Sequence, residues 1–328
     1  MTIPRGRLHG WKASDAAASA AAFEELLKRH NIKIEPGSPL EDSILEVHRL
    51  LEDRSSKSIS PTQPDFRYRY RVLAGFQEFA ATLLRIENRP GFAALIPHLK
   101  LLKTGSVLQS SRSLPRDQAA NKLFELYMAA LVLPYADAIE LDDPFHSEGT
   151  NPDILAKMDG HVWGIACKVL HGRNPQGFCD RLLEGIQQVE SSTAELGVVA
   201  FSIKNILPHD DLWPLTPISS NNPELTTSAH ASPEAAFAAL YKFMMGVGQE
   251  LVGHIGETLV QNIFHNKKVL PGFLLWGSSP MAAMINGRPC GVNPRTLFFQ
   301  AFGPVEPQNR EVVERWQHSL HNVGTRAV

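Results

Sequence analysis

The chain has 328 residues, 43% of them hydrophobic and 20% charged, with a net charge of −2 at neutral pH. That balance is ordinary for a globular protein with a sizeable core, and it excludes the disordered, collagenous and disulfide-stapled classes. No apolar run approaches the ~20 residues needed to span a bilayer, and the slightly acidic total counts against tight, non-specific nucleic-acid binding without excluding a local basic cleft.

In chain order, Arg5, Arg7 and Lys12 precede no apolar stretch, and Ala16–Ala22 runs directly into Glu24 and Glu25. This segment reads as part of a helix over 14–30 with Ser14 as N-cap, not as a leader peptide. A second helix fits 39–53, where Leu40, Ile44, Leu45, Val47 and Leu51 fall near helical spacing. The polar, proline-punctuated 54–64 is a loop. A long helix follows over 66–87, stopped by Asn88-Arg89-Pro90-Gly91, and then a shorter one over 92–103. Beyond the polar connector 105–115 the pattern changes to alternating helix and strand, the signature of a layered α/β structure.

There the spacing predicts a helix over 116–133, strands over 136–141, 152–157 and 162–169, a helix over 177–195 and a strand over 197–203. Asp159-Gly160 between two apolar runs marks a tight hairpin. Residues 205–232, rich in Pro, Ser, Asn and His, read as a long loop insertion. A helix over 233–264, strands over 269–276 and 296–302 and a helix over 309–321 complete the chain. The expected organisation is an all-helical region over 1–105 and an α/β domain over 106–328, with a mixed central sheet flanked by helices.

Cys167, Cys179 and Cys290 are odd in number and have no paired spacing. This argues against disulfides and against a zinc site, and a reducing cytoplasm is expected. The chemistry-bearing segment is 151–170, NPDILAKMDGHVWGIACKVL. Alternation sends Trp163, Ile165 and Cys167 to one side of the sheet and Gly164, Ala166 and Lys168 to the other. Lys168 is thus a charge on a strand that is otherwise almost wholly apolar, and the hairpin sets it beside the strand over 152–157, so that Asp153 and Lys168 are expected to share a face. A divalent cation is commonly held by one or two carboxylates together with phosphate oxygens and water, and a neighbouring lysine can orient the attacking water.

Pro152-Asp153, a β-turn and a strand reaching Lys168 resemble the PD-(D/E)xK superfamily of restriction-endonuclease-like nucleases. The superfamily usually has an acid two residues before the lysine; Ala166 stands there in this chain. The resemblance covers about 116–203 and implies Mg²⁺- or Mn²⁺-dependent hydrolysis of nucleic-acid phosphodiesters, with DNA favoured, in a setting such as bacterial defence or DNA repair. It implies Asp153 and Glu125 as metal ligands, the Cys167 carbonyl as a further ligand, Lys168 as the residue orienting water, and Gln187, beside Gln188, as a polar group near the site. The alternative is a catalytically inactive nuclease-like module that binds nucleic acid or a protein partner, or that assembles with its own copies.

Other residues carry weaker signals. In FRYRYRVL, Arg67, Arg69 and Arg71 interleave with Tyr68 and Tyr70, a pattern that suits phosphate contacts and base stacking as well as a packed helix face. Arg112, Arg116 and Lys122 flank the Glu125 helix, and His171 and Arg173 follow Lys168, so each group either lines the same cleft or solvates the surface. His146, Glu148 and His161 have no metal-ligand spacing, and the glycines over 246–256 have neither a GK[ST] nor a preceding strand.

Overall fold

The structure, a computed structural model, describes residues 13–55, 66–103, 107–108, 118–146, 149–219 and 222–321. Arg112, Arg116 and Glu148 lie outside them. Helices α1 (Ala13–Arg29), α2 (Pro39–Ser55) and α3 (Phe66–Ile86) come first. A short α4 (Ile96–Leu99), flanked by 3₁₀ turns, leads to α5 (Gln118–Val132). Strands β1 (Ala138–Leu141), β2 (Ile154–Met158) and β3 (His161–Val169) follow, then α6 (Pro175–Ser191) and β4 (Leu196–Ser202).

Past β4 lie α7 (His209–Leu212), β5 (Leu215–Ser219), β6 (Asn222–Thr227), α8 (Pro233–Ile255) and α9 (Glu257–Ile263). The chain continues with β7 (Val269–Ser278), β8 (Met281–Ile285), β9 (Arg288–Val292), β10 (Arg295–Ala301) and α10 (Pro307–His321). Six strands form one mixed sheet in the order β1-β2-β3-β4-β7-β10. β3–β4 and β4–β7 are parallel, joined by helical crossovers, and the outer pairs are antiparallel. This is the α/β architecture with a mixed sheet that the helix–strand alternation predicts.

Two hydrophobic clusters cover the two faces of the sheet. One joins Trp163, Ile165 and Cys167 of β3 to α5 and α10 and continues without a break into α1–α3. The other joins Ala166 of β3 and Val199 and Phe201 of β4 to α6 and α8. The helices ahead of residue 105 therefore share a core with the sheet. In α5 every residue from Leu123 to Leu133 is buried, as expected of a helix apolar on all sides and enclosed by other layers. Among the described residues no helix is long and apolar enough to cross a membrane.

Three elements differ from expectation. Residues 205–232 hold α7 and the β5–β6 hairpin, where a loop insertion is predicted; their polar, proline-bearing composition hides a two-stranded pairing outside the main sheet. The predicted helix over 233–264 breaks at Gly256, whose φ of 85° belongs to the left-handed region. The β8–β9 hairpin was not predicted, although Asn286-Gly287 carries its signal: φ values of 51° and 74° match the type I′ turn, as do 53° and 83° at Asp159-Gly160.

Candidate functional site

Pairing between β2 and β3 ends at Ile154↔Ile165, whereas β3 stays paired with β4 as far as Val169↔Ser202. The last part of β3 is therefore open on the β2 side. A buried N–H left there without an acceptor would cost free energy comparable to a lost hydrogen bond. Asp153, one residue ahead of β2, fills the gap: its Oδ2 accepts the Cys167 backbone N–H at 2.6 Å. The strand split thus fixes a carboxylate in the plane of the sheet, reachable from both faces.

From the α5 side comes Glu125, 3% exposed, whose carboxylate shares the Lys122 ammonium with that of Asp153. Lys122, one turn earlier on α5, places Nζ 3.0 Å from Glu125 Oε2 and 3.9 Å from Asp153 Oδ1. His98 of α4, wholly buried, places Nε2 3.0 Å from the same Glu125 Oε2. Burial pushes the Glu125 carboxyl up to about 6, against the pull of Lys122. Burial and then the Glu125 charge push Asp153 well above the usual carboxylate range, against Lys168, the Cys167 N–H and Lys122. Two buried carboxyls that raise one another need a shared proton or a cation between them, and the Lys122 ammonium stands in that place. Burial and then the Lys122 charge pull the His98 imidazole down to about 4, so His98 is neutral at neutral pH and Nε2–H is the donor to Glu125. Burial lowers the Lys122 ammonium, but the charges of Glu125 and Asp153 outweigh it and leave its pKa raised.

Lys168 leaves β3 on the other face. Its Nζ donates to Glu184 Oε1 of α6 at 2.9 Å, and Arg181 donates to the second oxygen of Glu184 at 2.7 Å. Burial raises the Glu184 carboxyl, and the hydrogen bond and charge of Lys168 more than offset this, so its pKa ends below the usual range. Lys168 still lowers the pKa of Asp153 through its charge. Position 166 is an alanine because α6 lies directly on it. A Cβ at Gly185 would come 3.3 Å from the Ala166 Cβ and 2.8 Å from Val199. Glu184, the residue before that glycine, brings its carboxylate to Lys168 on this face.

The remaining candidates are distributed differently from the sequence expectation. Gln187 is exposed, with its carbonyl accepting the Ser191 hydroxyl; Gln188 is the buried one, its Nε2 on the Gly149 carbonyl. The Cys167 peptide meets Asp153 through its N–H, where the resemblance implied a role for its carbonyl. The three arginines read as nucleic-acid contacts hold the chain together. Residues two apart on a helix face different ways, and residues four apart share a face. Arg67 and Arg71 thus both reach Asp210, with Arg67 also on the Trp213 carbonyl, while Arg69 reaches Glu46 on α2. Arg173 pairs with Glu250 and lies over the Phe243 ring.

His98 and Glu184 were not singled out from the sequence. His98 sits among apolar residues with no spacing to mark it; the glycine after Glu184 is the one signal of close helix–sheet approach. Neither a family model, nor a curated protein, nor a solved structure matches the chain.

The donor set has the chemistry of a hard divalent cation's ligands: two carboxylates about one lysine ammonium, both pushed towards protonation by burial. Among the described residues no three His, Cys, Asp or Glu side chains converge to hold a metal ion alone. A Mg²⁺ or Mn²⁺ ion held by Glu125 and Asp153 would therefore complete its shell with water and phosphate oxygens, as Mg²⁺ commonly does.

Proposed function

We propose that this chain is a Mg²⁺- or Mn²⁺-dependent nuclease that hydrolyses phosphodiester bonds, with DNA the favoured substrate. The observation that carries this reading is the placement of Glu125 and Asp153 about one ammonium, that of Lys122, at the point where β2 and β3 part. A divalent cation bound there would polarise a phosphate oxygen and lower the pKa of a water. Asp153 is aimed by the Cys167 N–H, and Glu125 by the neutral His98. Lys168 carries positive charge on the α6 side of the same split, where charge builds on the phosphate in the transition state. Glu184 orients that ammonium and supplies there the acid that position 166 lacks. Arg181 and Arg173, with side chains 58% and 48% exposed, offer phosphate contacts on the same face.

The second reading, a nuclease-like module that binds without cutting, is favoured by one observation: Lys168 is paired with Glu184 and not with Asp153. The two separate on one assay. Plasmid and single-stranded DNA are incubated with Mg²⁺ or Mn²⁺ and wild type, Asp153→Ala or Lys168→Ala. The nuclease reading expects cleavage by wild type and a loss of about 10²–10³-fold in each variant. No cleavage by wild type, with DNA binding equal in all three, establishes the binding module instead.

A further inference from the structure

We infer that Lys122 is a built-in counter-cation, whose ammonium holds the place between Glu125 and Asp153 that a divalent ion must take, so that metal binding to this site is an exchange of cations. The inference rests on the nuclease reading and adds to it a control on when the site is loaded. Lys122 Nζ lies 3.0 Å from Glu125 Oε2 and 3.9 Å from Asp153 Oδ1, touching both acids that the metal would need. Its side chain is 16% exposed, against 4% and 10% for the two acids, so it is the member of the group with a route to solvent. As the residue one turn before Glu125 on α5, it can swing outward on its own four-carbon stem without moving helix or sheet. His98, packed on the same Glu125 oxygen, is wholly buried and has no such route.

The energetics make the exchange finely balanced. The Coulomb attraction of the Lys122 ammonium for the two carboxylates is offset in large part by the cost of removing these ions from water. Lys122 therefore neutralises the pair without locking it. An incoming Mn²⁺ or Mg²⁺ must displace the ammonium, and a nucleic-acid phosphate at the mouth would receive the released positive charge. Substrate and metal would then favour each other's binding through one side chain.

The test uses Mn²⁺ alone as the probe and two readouts that need no turnover. The first is Mn²⁺ affinity, from the electron paramagnetic resonance signal of the free ion, for wild type and Lys122→Met. Removing the competitor is expected to tighten binding about tenfold or more. The second uses the wild-type protein: amine acetylation followed by peptide mass spectrometry, with and without saturating Mn²⁺. Displacement of the ammonium is expected to raise Lys122 labelling severalfold. Equal or weaker Mn²⁺ affinity in Lys122→Met, or Lys122 labelling that Mn²⁺ leaves unchanged or lowers, overturns the exchange while leaving a metal-binding site in place. If neither protein binds Mn²⁺, the metal-dependent reading falls and the exchange falls with it. Should Lys122→Met fail to fold, the labelling of wild type decides.

Discussion

Two glutamates on the α5 side of the sheet are almost equally buried, Glu78 at 2% and Glu125 at 3% exposure, and they are held in opposite ways. Glu78 of α3 accepts hydrogen bonds from the Tyr127 hydroxyl at 2.5 Å, the Ser278 hydroxyl at 2.9 Å and the Asn293 amide at 3.3 Å. These three donors are neutral and each comes from a different part of the chain, so Glu78 is a tie between the N-terminal helices, α5 and the end of β7. Glu125 instead faces a second acid, a lysine and a neutral histidine. The first carboxylate is held by hydroxyl and amide donors, and the second is set beside another carboxylate across a partly exposed lysine. Burial alone therefore does not mark a functional acid; the kind of partner does.

A third glutamate, placed where it would have neither form of support, breaks the comparison most severely. Ala166→Glu restores the acid that the superfamily pattern expects, but Ala166 is 0% exposed and α6 rests on it through Gly185. Overpacking and an uncompensated buried carboxylate together should cost about 4 kcal/mol, read by urea denaturation, with no gain in DNA cleavage. A stable variant that cuts faster would show that α6 does not close this face. Glu78→Ala comes next. It strands the buried hydroxyls of Tyr127 and Ser278, and unfolding should become easier by about 3 kcal/mol, while Mn²⁺ binding at the folded site is retained. Loss of metal binding without loss of stability would erase the division between the tie and the site.

Much of this was legible beforehand because it depends on local pattern. Asp159-Gly160 set the β2–β3 hairpin, and the apolar run around Glu125 made a helix buried on all sides, so its carboxylate had to be buried as well. The strand parity that separates Cys167 from Lys168 was also readable. What could not be read depends on how distant segments pack. The direction of Lys168 is decided by α6 bringing Glu184 to it, and the missing acid at 166 by the close approach at Gly185. His98 reaches Glu125 from 27 residues away, with nothing in its own neighbourhood to predict it. The partners of the α3 arginines, Glu46 and Asp210, lie far off in sequence, so these ion pairs could not be read from FRYRYRVL itself.

The smallest predicted effect bears directly on the partner rule, because it sets His98 against Glu125. The His98 imidazole lies at about 4, below its ordinary 6.5, so the unfolded chain takes up a proton first and stability falls as pH drops from about 6.5 to 4. The Glu125 carboxyl lies at about 6, above its ordinary 4.5, so the folded chain takes up a proton first and stability rises over the lower part of the same interval. The two effects oppose each other, and in wild type the acid-side loss is partly cancelled. Glu125→Gln removes the cancelling part. A shift from 4.5 to about 6 is worth about 2 kcal/mol at 1.36 kcal/mol per unit. The variant should therefore lose about that much more stability than wild type between pH 6.5 and 4, measured by urea denaturation at matched ionic strength. Parallel curves for the two proteins would mean that burial does not raise the Glu125 carboxyl, and the contrast between the two glutamates would not survive.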